Sequence, residues 1–228
     1  MIYLSKKSII LAIILILITV FSIGVYTIEI NKDLISLATI IIDAGHGGMD
    51  GGVVGKSGVK EADINLAQAK KIKERLERLN FNVVLTRETK DSYSDIKIED
   101  MKKRKQIIEK ACPDIIISVH ANKCKYEDRR GVQIFYDESS KISHDFAKMM
   151  QSSFNTYINS KYCKRDDLEC LKGDFYITKF DPIPAIIVEC GFLSNSEDEK
   201  LLKSSRYQED IAKTIGDVLY SLYSNRIN

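Results

Sequence analysis

Beyond residue 38 the chain alternates short β-branched runs with longer stretches in which apolar residues recur every three or four positions. The short runs are TIIID (39–43), FNVVLT (81–86), DIIISVH (114–120), GVQIFY (131–136), DFYIT (174–178) and AIIVEC (185–190). Each has the length of a strand and the residue types that pack well on a pleated surface. Between the first two, EADINLAQAKKIKERLERL places Ile72, Leu76 and Leu79 on one stripe, surrounds them with Lys and Glu, and reaches Asn80 where a helix stop is expected. Further helices are predicted over 98–111, closed by Pro113, over 139–157 and over 206–223. The pattern is that of a sheet covered on both faces. The expected fold is therefore α/β: a mostly parallel six-stranded sheet with helices on both faces, occupying residues 39–228.

The N-terminal pattern is different. From Ser8 to Ile28 no side chain is charged, and a helix of that length, at about 1.5 Å per residue, matches a hydrocarbon core of roughly 30 Å. Lys6 and Lys7 precede it and orient the N-terminus inward, so the chain beyond Glu29 is expected outside the cytoplasm. Two readings are open for residues 1–28. One is a retained membrane anchor joined to the domain by a tether over 29–38; the other is a signal peptide cleaved near the small residues Ser22 and Gly24. Apolar character continuing through Val25 and Ile28 favours the anchor.

Composition narrows the function classes. With 228 residues, 44% hydrophobic and 29% charged, the chain can bury a sizeable core and is not of disordered type. The formal charge is +2; the first thirty residues hold two lysines and one glutamate, leaving +1 for the remainder, which is no footprint for nucleic acid. Five cysteines, at 112, 124, 163, 170 and 190, have neither zinc-finger spacing nor the density of a disulfide framework. Cys163 and Cys170 are the local candidates for a disulfide, with free thiols the alternative.

Candidate chemistry begins at TIIIDAGHGGMDGG (39–52), where a buried strand runs into an acid, a histidine and a crowd of glycines. A phosphate loop is a poor fit. DGGVVGKS (50–57) comes within one residue of G-x-x-x-x-G-K-S, but Asp50 occupies the first glycine's place and a carboxylate there repels phosphate; it also breaks the G-x-G-x-x-G spacing. A metal explains more. His46 and His120 both follow strand ends, where open α/β sheets put their ligand sites, and Glu61 opens the first long helix. Two imidazoles and one carboxylate leave a fourth position of tetrahedral zinc open, as catalytic zinc requires. Taken singly, each residue also fits a plainer role: a hydrogen-bonding His in a turn, a Glu complementing a helix dipole. His144, on a helix among polar residues, is read as solvated surface.

Glu189 ends an otherwise apolar strand in PAIIVECGFLSN (184–195). An ionised carboxylate so placed needs a cation or a hydrogen-bonding partner, because desolvating it alone is costly. A metal site supplies one; an ion pair with a residue such as Arg87 is the structural alternative.

Taken in order, IIIDAGHGGMDGG, GVKEADINLAQAKKIKERLE, VVLTR, the arginine Arg104, SVHAN and PAIIVECGFLSN resemble the zinc-dependent N-acetylmuramoyl-L-alanine amidases of bacterial peptidoglycan, from about Thr39 to Tyr223. LKGDFYITK leading into PAIIVECGFLSN is most similar to the spore-cortex, germination-specific members. The resemblance implies one zinc per chain held by His46, Glu61 and His120, with Glu189 catalytic, and hydrolysis of the amide between N-acetylmuramic acid and L-alanine. Asp43, Asn122 and Arg87 are candidates to orient imidazoles or bind substrate. The implied partners are glycan strands with stem peptides, in the cortex or elsewhere in the wall, and the membrane through the N-terminal segment. The charged stretches Lys123–Arg130 and Ser160–Asp174 follow no pattern of that family and offer surface for an envelope partner or a second copy of the chain. A membrane-tethered zinc peptidase and an inactive amidase-fold scaffold are the alternatives.

Overall fold

The computed structural model describes residues 6–224 and, within the first helix, the side chains of residue 7 and residues 10–25. That helix, α1 (Lys6–Ile35), belongs to one compact unit, and the chain from Leu37 onward forms a second. The apolar side chains described in α1, such as Leu11, Leu17 and Phe21, are exposed. Among the described residues no helix is long and apolar enough to cross a membrane.

The second unit is built on a six-stranded sheet in the order β2-β1-β3-β6-β4-β5. Its strands are β1 (Thr39–Ala44), β2 (Asn82–Leu85), β3 (Ile115–Asn122), β4 (Gln133–Tyr136), β5 (Leu171–Lys172) and β6 (Ala185–Phe192). All pairings are parallel except β4 with β6, so the expected α/β sheet with helices on both faces is borne out.

Alternation along β1 shows how the layers form. Ile40 and Ile42 point into one core with Ile72 and Leu76 of α2 (Glu61–Glu77), Phe146 and Met150 of α4 (Lys141–Phe154), and Ile211 and Ile215 of α7 (Ser205–Ser224). Ile41 points the other way, to Ile108 of α3 (Lys97–Ala111), Ile116, Ile177 and Ile187. All three β1 isoleucines are fully buried, each contributing about 1.5–3 kcal/mol over an exposed position. A strand apolar on both faces is what a helix layer on each side requires.

Helix ends follow the local signals. After α2 the chain turns through Asn80, at φ 63°, whose N–H donates to Glu77 O; α3 stops at Cys112, at φ 45°, just before Pro113. Two expectations are corrected. The DFYIT segment is not a strand: Tyr176–Thr178 form a 3₁₀ turn, and the sixth strand is the two-residue β5. Phe175 folds back over Gly173 and Ile177 enters the core, so the chain turns there instead of extending along the sheet. The helix expected over 139–157 runs from Lys141 to Phe154 and continues through a π-helical turn (Asn155–Asn159) into α5 (Ser160–Cys163). Asn159 is drawn inward there, with Val132 N–H donating to its Oδ1 and its Nδ2 donating to Val132 O.

The charged stretch 123–130 is tied down on the turn after β6 and on α6 (Ser196–Leu202). Cys124 N–H donates to Ser194 Oγ, Asn195 Nδ2 to Glu127 O, and Arg130 Nε to the buried Asp198. All five cysteines are free thiols.

Candidate active site

Because β1, β3 and β6 are parallel neighbours, their C-terminal ends open onto the same edge of the sheet, where α/β proteins carry their sites. His46 follows β1, His120 lies near the end of β3, and Glu189 stands beside it on β6, paired with His120 in register. Glu61 enters as the first residue of α2, where the helix dipole favours its ionised form.

One donor atom from each of His46, Glu61 and His120 lies within 4.8 Å of the others. His120 Nδ1 is 2.9 Å from Glu61 Oε1, and His46 Nε2 is 3.3 Å from Glu61 Oε2. Ligands of one tetrahedral zinc, with bonds of about 2.0–2.2 Å, stand roughly 3.4 Å apart. The set therefore fits such an ion in donor type and in spacing.

The carboxylate is held from behind. Val53 N–H donates to its Oε2 at 2.9 Å, while Ala121 N–H and Asn65 Nδ2 donate to Oε1 at 3.2 and 3.3 Å. Burial alone would push Glu61 up, but the neighbouring imidazoles outweigh it and hold the carboxyl well below the usual range.

The glycines have a steric reason. A Cβ on Gly45 would collide with the His120 ring, and one on Gly52, at φ 65°, would come within 2.5 Å of Glu61 Oε2 and 2.8 Å of the His46 ring. Ligand side chains lie directly against bare backbone. His46 itself sits at φ 61°, an uncommon conformation for a side-chain-bearing residue, and its turn is gripped at three successive carbonyls. Arg104 donates to Ala44 O and His46 O, and Arg87 donates to Ala44 O and Gly45 O.

Arg104 is fully buried and is neutralised by Asp43 at 2.9 Å and Asp100 at 2.7 Å. Asp43 also accepts from Thr86 and Ser118. Burial would raise the Asp43 carboxyl, yet the Arg104 charge and these hydrogen bonds hold it below its ordinary value.

Glu189 is the contrasting carboxylate. Its Oε2 is buried with no hydrogen-bond partner, and burial pushes the group up to about 7. An unpartnered carboxyl beside two imidazoles fits proton transfer, and a nearby cation would favour its ionised form. His46, His120 and Glu189 face a groove of about 570 Å³ whose lining also includes Asp50, Lys97 and Tyr176.

The remaining sequence candidates have other places. Asp43 reaches neither imidazole through its hydrogen bonds; it secures Arg104. Arg87 makes no pair with Glu189 and bonds the carbonyls of Ala44, Gly45, Ala62 and Thr89. Asn122 ends β3, with its carbonyl accepting from Leu193 N–H. His144 is not simply solvated: it is partly buried and stacked on Tyr136 at 4.6 Å.

Two site residues escaped sequence reasoning; Asn65, on a helix, had a readable signal, whereas Asp50 lies in an irregular turn where such spacing carries none. Asn65 stands four residues after Glu61, on the same helix face, and Asp50 four after His46. Asp50 Oδ2 lies 3.0 Å from His46 Nδ1, an ion-pair contact that leaves that ring nitrogen without a hydrogen bond.

Comparison with known proteins agrees with the geometry. The family model described as N-acetylmuramoyl-L-alanine amidase matches residues 40–220. The germination-specific N-acetylmuramoyl-L-alanine amidase of Bacillus subtilis is 29% identical, over 77% of this chain and 76% of its own length. The CwlD amidase from Clostridioides difficile, solved in complex with the GerS lipoprotein, is 33% identical with a TM-score of 0.75, covering 82% of this chain and 98% of that one. An amidase of Nostoc punctiforme is 26% identical with a TM-score of 0.70, covering 82% and 97%. With the family model spanning nearly the whole second unit, the chain belongs to the N-acetylmuramoyl-L-alanine amidase family and is a peptidoglycan amidase.

Proposed function

We propose that the chain cleaves the amide between the lactyl carbonyl of N-acetylmuramic acid and L-alanine with one zinc ion held by His46, Glu61 and His120, and with Glu189 as general acid and base. The observation that carries this is the convergence of the three donor atoms within 4.8 Å beside the unpartnered Glu189 carboxyl. A zinc ion held by His46, Glu61 and His120 would supply Lewis acidity towards the carbonyl and the attacking water. Glu189 takes a proton from the attacking water and passes it to the departing amine, a role suited to a carboxyl that lines the groove with no hydrogen-bond partner of its own. The Val53 and Ala121 N–H groups fix Glu61, and the arginine-held turn fixes His46, so the donors need little reorganisation on binding.

The setting is the bacterial envelope. The uncharged stretch Ser8–Ile28 anchors or exports the chain, and the domain acts on the wall side of the membrane. Likeness to the germination-specific amidase and to CwlD supports a role in the spore cortex, and the GerS complex of CwlD supports an envelope protein as partner here. The charged stretches Lys123–Arg130 and Ser160–Asp174 are the candidate contact surfaces, for such a partner or for a second copy.

The test is hydrolysis of purified cortex and vegetative peptidoglycan by the full-length chain, with products read by mass spectrometry. Peptides with a new N-terminal L-alanine and glycans with free lactyl carboxylates are expected. Cleavage between amino acids would establish a peptidase instead, and zinc-free protein with full activity would overturn the metal assignment.

A further inference from the structure

The groove has a wall that metal chemistry does not use. Phe175 and Tyr176 line it together with Glu189 and remain 37% and 40% exposed. Their turn is built rather than loose. The Phe175 ring lies so close over Gly173 that a Cβ there would collide with it, and the ring also meets Phe135 edge-on at 5.8 Å. Ile177, next in the chain, is buried in the core beneath β1, and Thr178 Oγ1 donates to Phe175 O. Ile98 and Met101 of α3 extend the apolar lining, whereas Asp50 and Lys97 make another part of the groove charged.

Exposing fixed aromatic rings to water is unfavourable, and pre-ordered rings lose little entropy when a ligand covers them. The two sides of the scissile amide differ in what they can offer such a wall. The stem peptide presents a polar backbone and free carboxylates; the pyranose ring presents an apolar C–H face with hydroxyls at its edge. Among the described residues, the one cation against the Tyr176 ring is Lys105, at 5.4 Å, which also lies over Phe180 and 3.8 Å from Glu109, outside the groove lining. We propose that Tyr176, next to Phe175 in the groove lining, stacks on the muramyl sugar ring and selects the saccharide side of the substrate. This rests on the groove being the active site.

The chain contains no tryptophan, so Tyr176→Trp creates a single fluorescent reporter on that wall. In the full-length protein its emission is expected to shift saturably with peptide-free glycan strands and to ignore free stem peptide. On peptidoglycan fragments, Tyr176→Ala is expected to raise KM roughly five- to tenfold with kcat within about twofold, a range set by aromatic contact energies. Tyr176→Phe, which keeps the ring, restores KM. Emission that responds to peptide and not to glycan, or an unchanged KM in Tyr176→Ala, overturns the proposal. Glycan binding by a chain that hydrolyses nothing would sink the amidase chemistry and support the wall; hydrolysis with no glycan response would sink the wall alone.

Discussion

Glu189 stands directly across from His120 in the parallel β3–β6 register, and the pairing shifts between His120 and Asn122. Two adjacent strands thereby present an imidazole and a carboxyl to one groove, with no loop between them to loosen the geometry. A site carried on sheet backbone is precise because each side chain's direction is set by the pleat.

Glu189→Gln is expected to keep zinc while losing about 10² to 10⁴ in kcat, because the amide preserves size but cannot accept water's proton. Zinc content and turnover measured on the same preparation decide the matter. Loss of zinc in parallel with rate would make Glu189 a ligand.

Stripping zinc with a chelator should abolish hydrolysis, and added zinc should restore it. His46→Ala and His120→Ala should lower zinc occupancy, whereas His144→Ala, which loses only its stack on Tyr136, should leave occupancy unchanged. Metal analysis after dialysis reads both results.

Asn65 predicts a subtler effect. Its amide donates to Gly45 O at 3.1 Å and to Glu61 Oε1, linking the turn that carries His46 to the carboxylate. Asn65→Leu should weaken zinc binding about 10- to 100-fold in chelator competition, the usual cost of losing such a support. Gln68→Leu removes an equally buried amide on the same helix, one that donates to Gln208 O. That variant should lose stability but retain zinc affinity; equal zinc affinities in the two variants would remove Asn65 from the site.

The Asp43–Arg104 pair predicts a pH dependence of stability. Asp43 is held below its ordinary value when folded, so its stabilisation is complete above the unfolded carboxyl's pKa of about 3.9 and is lost as pH falls through the lower folded value. Asp43→Asn should flatten that acid limb. At neutral pH it should destabilise by less than the about 3–5 kcal/mol that leaving a buried charge unpaired costs, because Asp100 still pairs Arg104. Denaturant melts from pH 7 to pH 2 give both numbers; an acid limb as steep as that of the unsubstituted protein would assign the effect to other carboxylates.

Much of this molecule is determined by the sequence itself. Runs such as IIID and AIIVE declare strands buried on both sides, the stripe through Ile72 and Leu76 declares a helix facing them, and the positions of His46, His120 and Glu189 at run ends point to one edge of an α/β sheet. These signals are local, because burial periodicity is written residue by residue. Tertiary structure decided what depends on partners far apart in the chain. It set the strand order and the antiparallel β4, turned DFYIT from an expected strand into the aromatic wall, and gave Asp43 the task of securing Arg104, and Arg87 that of holding backbone carbonyls, rather than imidazoles. The reason is energetic: a buried arginine takes the carbonyls and carboxylates that packing brings within reach, and the aromatic turn settles where the distant Phe135 ring and the core around Ile177 receive it. Neither neighbour is chosen by spacing along the sequence.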